Sequence, residues 1–480
     1  MKNLNLPLRG LWDDVQSSLW FRPGLIALLA LLLALVTPYV DQSTKLKFYA
    51  IGADNARAVL SAIASSMLTV VTLTFSILMV ALTLTSQQFS PRVLRSFTSN
   101  HTAQNILGIL IGAFLYSLLV LVTVIDTSDT TFVPLLSVLV AIAYAVIGIG
   151  AFIYFIDHIA KNIRVSYIIY TINEETVTLL HASELEQVGG YQKHIPLSDP
   201  LLDRHQATRV NARHAGYIQA IDTQRLAVLA QKQGYTIQIV GMTGDFVAKG
   251  RPLLYVWNRS ALQNHSERQS VEADRNAVTE AQEGAEIPDF EIPSHVATEL
   301  VQQFDIGVER TMFEDVLFGI RQLVDIALKA LSPGINDPTT AVNCLHYLEN
   351  ILIHAAHSAD QQISYYDEEG NLSLIGRTVT FGTMVDLAFH QLRHYGCDDP
   401  TIALQLLSML TNVAQETEDQ ERRNQLWHHA LLIRERVNDQ IRQKADRDLI
   451  NNHLLQLSRL LSQTYDTISL DSERFVNKLG

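Results

Sequence analysis

A row of serine and threonine residues in one long uncharged stretch is the most regular polar pattern in this chain. Its members, at intervals of three, four or seven residues, are Ser61, Ser65, Thr69, Thr72, Ser76, Thr83 and Gln87. Such intervals place side chains on one face of a helix. The hydroxyls of that face can bond to neighbouring helices, or they can line a path for water. Both interpretations stay open, and we take Ser65 to Gln87 as candidate pore-lining residues.

Patterns that carry enzyme chemistry do not occur in the sequence. It contains no glycine-rich phosphate loop, no dinucleotide-binding fingerprint, no zincin motif and no paired-cysteine zinc motif. His390 and His394 have the spacing of two ligands on one helix, but no third ligand is evident near them. We therefore expect no catalytic, cofactor-binding or metal-binding residues and no enzymatic activity.

Four stretches without charged residues indicate a membrane protein. Each contains an apolar run long enough to cross about 30 Å of hydrocarbon as a helix. We predict an interfacial segment at 1–23 and a transmembrane domain at 24–165, with spans at about 24–40, 60–85, 104–125 and 132–156. The pattern excludes a soluble single-domain enzyme and a disordered chain. With only two cysteines, a secreted disulfide scaffold is excluded as well.

Lysine and arginine residues beside these stretches indicate the orientation. Seven fall on the side of the N-terminus and three in the loops of the other side, which predicts that both termini are cytoplasmic. Two of the seven, Arg92 and Arg95, follow the second span. They are candidate residues of an inner mouth, and anchoring to lipid headgroups is the alternative.

The rest of the chain is acidic. Residues 1–165 carry 10 Lys and Arg against 7 Asp and Glu, whereas residues 166–480 carry 26 against 42. An acidic region repels nucleic-acid phosphates, so we expect no nucleic-acid partner.

The region after the spans is predicted to be α+β. A stalk or linker at 166–212 continues the last helix, and short apolar runs at 213–310 predict a small β-barrel with a mobile acidic insertion at 265–293. Its turn from Gly244 resembles the glycine turn of barrel-sandwich carrier domains, without their attachment lysine. We expect no prosthetic group, and an all-α domain at 311–480 with one non-helical excursion between Gly370 and Gly376.

The densest motif of the chain lies at the start of this α-helical domain. It predicts a helix at 314–331, with Gly334 in a left-handed conformation after it and a second helix capped by Asp337. A structural role and a partner-binding role are both considered for its polar residues, which are Arg310, Arg321, Asp325, Asn336, Asp337 and Thr339.

Four separated motifs together resemble one bacterial family. They are Trp20 to Pro23, Ser86 to Arg92, the turn from Gly244 to Val247, and Phe318 to Ala341. In this order they are similar to predicted inner-membrane proteins defined as domain of unknown function 2254. The resemblance implies a location in the bacterial inner membrane, and it implies no activity and no catalytic residues.

These patterns lead to two functional hypotheses. The first is a homo-oligomeric, channel-like or permeation-associated protein of the lipid bilayer, with the second span lining the path. The alternative is a membrane-anchored scaffold or sensor without transport, whose acidic region recruits a cytoplasmic protein partner.

Overall fold

The computed structural model describes residues 18, 20–44, 52–88, 101–127, 130–186, 207–259, 290–312, 314–358, 364–367, 369–463 and 470. Contacts divide the chain into two compact units, one within Leu11–Ile168 and one that includes Ile169–Gly480. We call them the membrane unit and the C-terminal unit. The predicted interfacial segment and the predicted acidic insertion lie almost wholly outside the described residues.

Among the described residues of the membrane unit, four helices are long and apolar enough to cross a bilayer. They are α1 (Phe21–Thr44), α2 (Ala53–Gln88), α3 (His101–Thr123) and α4 (Leu135–Asn162). A short antiparallel hairpin of β1 (Ile125–Thr127) and β2 (Thr130–Phe132) joins α3 to α4. Each of the four predicted spans is present as a helix, and each helix extends past its predicted range at one end or both.

The third span lies at the centre of this unit, because α3 packs against α1, α2 and α4. Gly108 and Gly112 let α1 approach it closely. A Cβ atom at Gly108 would lie 2.8 Å from the Ile26 side chain, and one at Gly112 would lie 3.0 Å from Ala30. The Gly-x-x-x-Gly pattern of this span therefore acts as a packing motif.

The described part of the C-terminal unit contains eight strands, and a helix precedes them in the chain. The helix is α5 (Val165–Glu186). The strands are β3 (Thr208–Asn211), β4 (Gly216–Ile221), β5 (Tyr235–Ile239), β6 (Phe246–Val247), β7 (Pro252–Asn258), β8 (Phe304–Gly307), β9 (Ser364–Tyr366) and β10 (Leu372–Ile375). They form a five-stranded sheet in the order β3-β7-β5-β10-β9 and a three-stranded sheet in the order β6-β4-β8.

The predicted small β-barrel is not supported, because the described strands form two open sheets and no closed one. A barrel built from 213–310 would need β5 to pair within that segment on both of its edges. Instead, β5 pairs in parallel with β10, with Leu374 opposite Ile237. This strand comes from the predicted non-helical excursion, more than a hundred residues later in the chain, so local patterns could not assign it to the sheet.

One apolar core holds the two sheets together. Ile218, Ile237 and Leu254 contribute to it from the strands. Leu226 and Leu300 contribute from α6 (Thr223–Gln233) and α7 (Ser294–Val301). The alternation of buried and partly exposed residues along β4 is the pattern of a strand with one face in the core.

Six further helices lie in the described part of the C-terminal unit. They are α8 (Val316–Ala330), α9 (Pro338–His357), α10 (Phe381–Gly396), α11 (Pro400–Gln415), α12 (Gln420–Gln440) and α13 (Lys444–Leu460). Among them, α8 packs against α9 and α10, and α11 packs against α9, α12 and α13. Asp337 and Asp399 cap α9 and α11 as their sequence positions predict, each accepting a bond from a backbone N–H.

The predicted continuous stalk is divided into two helices. The first of them, α4, ends at Asn162, and α5 begins at Val165. Within the C-terminal unit, α5 packs alongside α9. The Asn350 amide donates to Asn173 Oδ1 at 2.9 Å, and the rings of His181 and His354 lie 5.2 Å apart.

Gly319 of α8 allows the close approach of α5. A Cβ atom at this position would lie 1.9 Å from Thr176 Oγ1. Thr176 is fully buried, and its hydroxyl is bonded to the carbonyl of Ile172 at 2.6 Å. The threonine therefore has little freedom to move away.

Gly319→Ala should lower the free energy of unfolding by about 1–3 kcal/mol, because the added methyl group overpacks this contact. The measurement is thermal unfolding of the full-length protein in detergent. Gly334→Ala is the matched control, since nothing lies within 4 Å of its added Cβ atom. Equal stability of the two variants would show that α5 does not depend on this contact.

Candidate functional site

The hydroxyl row of the second span lies on the outer surface of the membrane unit. All seven positions are exposed in the described structure, namely Ser61, Ser65, Thr69, Thr72, Ser76, Thr83 and Gln87. The opposite face of α2 is buried through Ala56, Leu60, Met67, Leu78 and Ala81. We call the exposed row the hydroxyl face.

Most hydroxyls of this face already donate a hydrogen bond to their own helix. Ser65 Oγ lies 2.6 Å from the carbonyl oxygen of Ser61, Thr69 Oγ1 lies 3.0 Å from that of Ser65, and Thr72 Oγ1 lies 2.9 Å from that of Leu68. A hydroxyl that donates in this way still has oxygen lone pairs that can accept. The face can therefore accept hydrogen bonds from water or from another helix.

A second exposed face of α2 is mostly apolar. It carries Val59, Leu73, Val80 and Leu84, which are 37–56 % exposed. Ser66 is also exposed on this face, seven residues from both Val59 and Leu73. The exposed surface of this helix thus has one part that is mostly apolar, suited to lipid, and one part that is rich in hydroxyls. The candidate inner-mouth residues Arg92 and Arg95 lie outside the described residues.

A polar cluster that the sequence did not single out joins three spans at one end of the membrane unit. Both carboxylate oxygens of Asp41 accept backbone bonds at the start of α4, from Leu136 at 2.8 Å and from Ser137 at 2.9 Å. Nearby, the Tyr116 hydroxyl lies 2.8 Å from Thr37 Oγ1 and bonds to the carbonyl of Ser137. Asp41 therefore caps a helix that begins far away in the sequence, a pairing that no local pattern reveals.

In the C-terminal unit, two of the sequence motifs meet at a buried ion pair. The Arg310 guanidinium donates to both carboxylate oxygens of Asp315, with Nε 2.9 Å from Oδ2. Asp315 also caps α8 by accepting from Phe318 N–H at 3.0 Å. The turn at Gly244 closes over this pair, since a Cβ atom there would lie 2.1 Å from the Asp315 carboxylate. Burial raises the pKa of Asp315, and Arg310 opposes that shift.

An ion pair on α8 borders a groove. Arg321 Nε lies 3.3 Å from Asp325 Oδ1. Arg321 also lines a groove of about 340 Å³, together with Asp386 and His390 of α10. We call it the polar groove.

A buried histidine lies behind the polar groove. His429 Nε2 is 2.9 Å from Asp386 Oδ1, and the His429 side chain is only 4 % exposed. Burial lowers the pKa of His429, and the bond to Asp386 opposes the shift. His429 of α12 therefore stays neutral over a wider pH range than an exposed histidine, and nothing in the local sequence pattern indicates this.

The turn between α8 and α9 differs from its prediction at one residue. The left-handed residue is Asn336, with a φ of 50°, and not Gly334. Asparagine tolerates this conformation better than most residues because its short side chain can bond locally. Asp337 caps α9 as predicted, and the Thr340 hydroxyl and amide lower its pKa. Thr339 is exposed beside it.

The two histidines with metal-ligand spacing do not acquire a third ligand within the described part of the chain. In that part, no three His, Cys, Asp or Glu side chains come together in a way that could hold a metal ion. His390 lines the polar groove, whereas the ring of His394 lies against that of Tyr395.

Comparison with known proteins confirms the family resemblance of the sequence. The model of the family described as "Predicted membrane protein (DUF2254)" matches residues 16–412. The chain belongs to this family. It is 29 % identical over 452 residues to uncharacterized proteins of Mycobacterium bovis and Mycobacterium tuberculosis, covering 92 % of this chain and 80 % of each relative. No solved structure matches the chain. Membership establishes a predicted membrane protein of unknown function.

Asp315→Ala should lower the free energy of unfolding by about 2–4 kcal/mol, because it removes a helix cap and leaves Arg310 without its carboxylate. Chemical unfolding of the full-length protein measures this loss. Asp325→Ala removes the more exposed pair and should cost less than about 1 kcal/mol. A similar loss in both variants would contradict a special role for the buried pair.

His429 should make stability fall in mild acid. Above about pH 6.5 the imidazole is neutral in both states, and below it the unfolded chain takes up a proton that the folded chain does not. The melting temperature of the full-length protein should therefore decrease between about pH 6.5 and 5, and less so in His429→Gln. His428→Gln, at an exposed position, is the control and should keep the wild-type slope.

Proposed function

We propose that this family member is a homo-oligomeric, channel-like or permeation-associated protein in which the hydroxyl face of α2 lines a path between subunits. One observation carries the proposal. The hydroxyl face points out of the four-helix unit, so a path along it must be completed by another copy of the chain.

The length of the spans supports a path that crosses the hydrocarbon. On α1, the segment from Arg22 to Asp41 is about 29 Å long at 1.5 Å per residue, close to the thickness of a hydrocarbon core. Trp20 contacts Phe75 at one end of this segment, and Ala34 shares a cluster with Ala56 towards the other. Ser61 to Thr72 lie between these levels. Ser76 lies next to Phe75, and Thr83 and Gln87 lie beyond it, where a vestibule would begin.

The side-chain composition of the two exposed faces of α2 supports a different neighbour for each face. Val59 and Leu73, which lie between the two levels, suit acyl chains, whereas hydroxyl groups gain nothing from them. The concentration of hydroxyls on one face therefore supports a neighbour other than lipid on that face.

The remaining features of the proposal concern location and the C-terminal unit. The family resemblance implies a bacterial inner membrane, and basic residues beside the spans favour both termini in the cytoplasm. The acidic C-terminal unit would gate or assemble the subunits, and it would repel nucleic acid. We propose no enzymatic activity and no resident cofactor or metal.

The alternative function is a membrane-anchored scaffold or sensor without transport, which binds a cytoplasmic protein partner. One observation favours it. The hydroxyls of Ser65, Thr69 and Thr72 already donate to their own helix, so they need no water and could pack against any neighbouring helix.

Cysteine scanning of α2 distinguishes the two functions. Cysteines at Ser61, Ser65 and Thr69 should react with a charged, membrane-impermeant thiol reagent at least about tenfold faster than cysteines at Val59 and Leu73, because only hydrated thiolates react. The native Cys344 and Cys397 are buried. Burial raises the pKa of Cys397 to about 12 and that of Cys344 further, so their background reaction is slow.

Flux through reconstituted protein is the second measurement. Ser76→Leu should reduce solute or ion flux, and Leu73→Ala should leave it unchanged. Slow labelling at all positions, together with no flux where a positive control conducts, would reject the path and leave the anchored scaffold.

A further inference from the structure

A deep apolar groove lies on the side of the membrane unit, between α1, α2 and α3. It has a volume of about 320 Å³ and is lined by Trp20, Pro23, Val71, Phe75, Leu107 and Ile111 among others. Thr72 supplies the one hydroxyl of its lining, and that hydroxyl donates to the carbonyl of Leu68. We call it the Trp20 groove. A lining of this kind selects an apolar occupant.

The position of the groove along the spans identifies the surrounding medium. Trp20 precedes the first turn of α1 and is 65 % exposed, with its ring 6.2 Å from that of Phe75. Since tryptophan concentrates at the headgroup level of a bilayer, this end of α1 lies at the interface. The groove thus runs from the headgroup level into the hydrocarbon, where acyl chains are the neighbouring molecules.

A positive charge lies at the same level. Arg22 is in the first turn of α1, between the two groove residues Trp20 and Pro23 in sequence. Among the described residues, no carboxylate pairs with its guanidinium. A basic side chain at the membrane surface attracts anionic headgroups. An apolar groove with an arginine in the adjoining first turn of α1 matches a molecule with an acyl chain and a negatively charged headgroup.

We propose that the Trp20 groove binds one acyl chain of an anionic phospholipid, whose phosphate lies near Arg22. The site is independent of conduction, since a scaffold would bind the lipid equally well. It adjoins the hydroxyl face at Thr72, so the lipid would border a path between subunits where one exists.

The test uses the full-length protein in nanodiscs of phosphatidylcholine, with Trp12→Phe as the background. The other two tryptophans, Trp257 and Trp427, are buried in the C-terminal unit, so quenching by lipids with brominated acyl chains reports on Trp20. At the same small mole fraction, brominated phosphatidylglycerol should quench as if enriched about fivefold over brominated phosphatidylcholine.

Two variants test the parts of the site separately. Arg22→Gln should remove the preference for phosphatidylglycerol, and Arg164→Gln, an exposed arginine after α4, should retain it. Val71→Phe fills the groove and should reduce quenching by both lipids. A circular dichroism spectrum and melting temperature like those of the parent protein show that each variant is folded.

Three results would overturn the proposal. The first is equal quenching by the two lipids in the parent protein and in Arg22→Gln. The second is efficient disulfide formation between protomers at Val71→Cys, which would assign the groove to a second copy. The third is stronger quenching after deletion of residues 2–17, which would assign it to the N-terminal segment.

Discussion

Hydrogen bonding inside hydrocarbon is the constraint on which the membrane unit depends. No water is present there to satisfy a polar group, so each one needs a partner within the protein. Most hydroxyls of α2 meet this demand with carbonyl groups of their own helix. Asp41 meets it with the free N–H groups at the start of α4, and in doing so it fixes the first span to the fourth. Polar residues can therefore occupy these spans without charge pairs.

Once those demands are satisfied, the packing of the four helices decides what each face of α2 can do. Small and apolar residues of α2 such as Ala56 and Leu60 pack against α3 and α4. The hydroxyl face remains on the outer surface of the membrane unit. The functional question thereby becomes one about neighbours of the unit. There are three candidates for the neighbour of the hydroxyl face: another subunit with water between, another subunit packed without water, and lipid. The surface beside this face is not flat, because the Trp20 groove lies next to Thr72.

The C-terminal unit is held together by contacts between segments distant in sequence. The turn at Gly244 closes over the Arg310–Asp315 pair, and β10 completes the sheet of β5 after α8 and α9 have intervened. Because these contacts connect the sheets to the helices, the β and α parts are not separate modules.

The sequence by itself determined the four spans, the mainly helical structure after residue 311 and the face of α2 that carries most of the hydroxyls. These features depend on length, apolar periodicity and capping residues such as Asp337, all of which act within a few turns of chain. Tertiary structure alone decided that the hydroxyl face is exposed, that Asp41 caps α4, that Asn336 and not Gly334 is left-handed, and that the strands form open sheets. Each of these results depends on which distant surface occupies the space beside a residue, and local patterns carry no information about that.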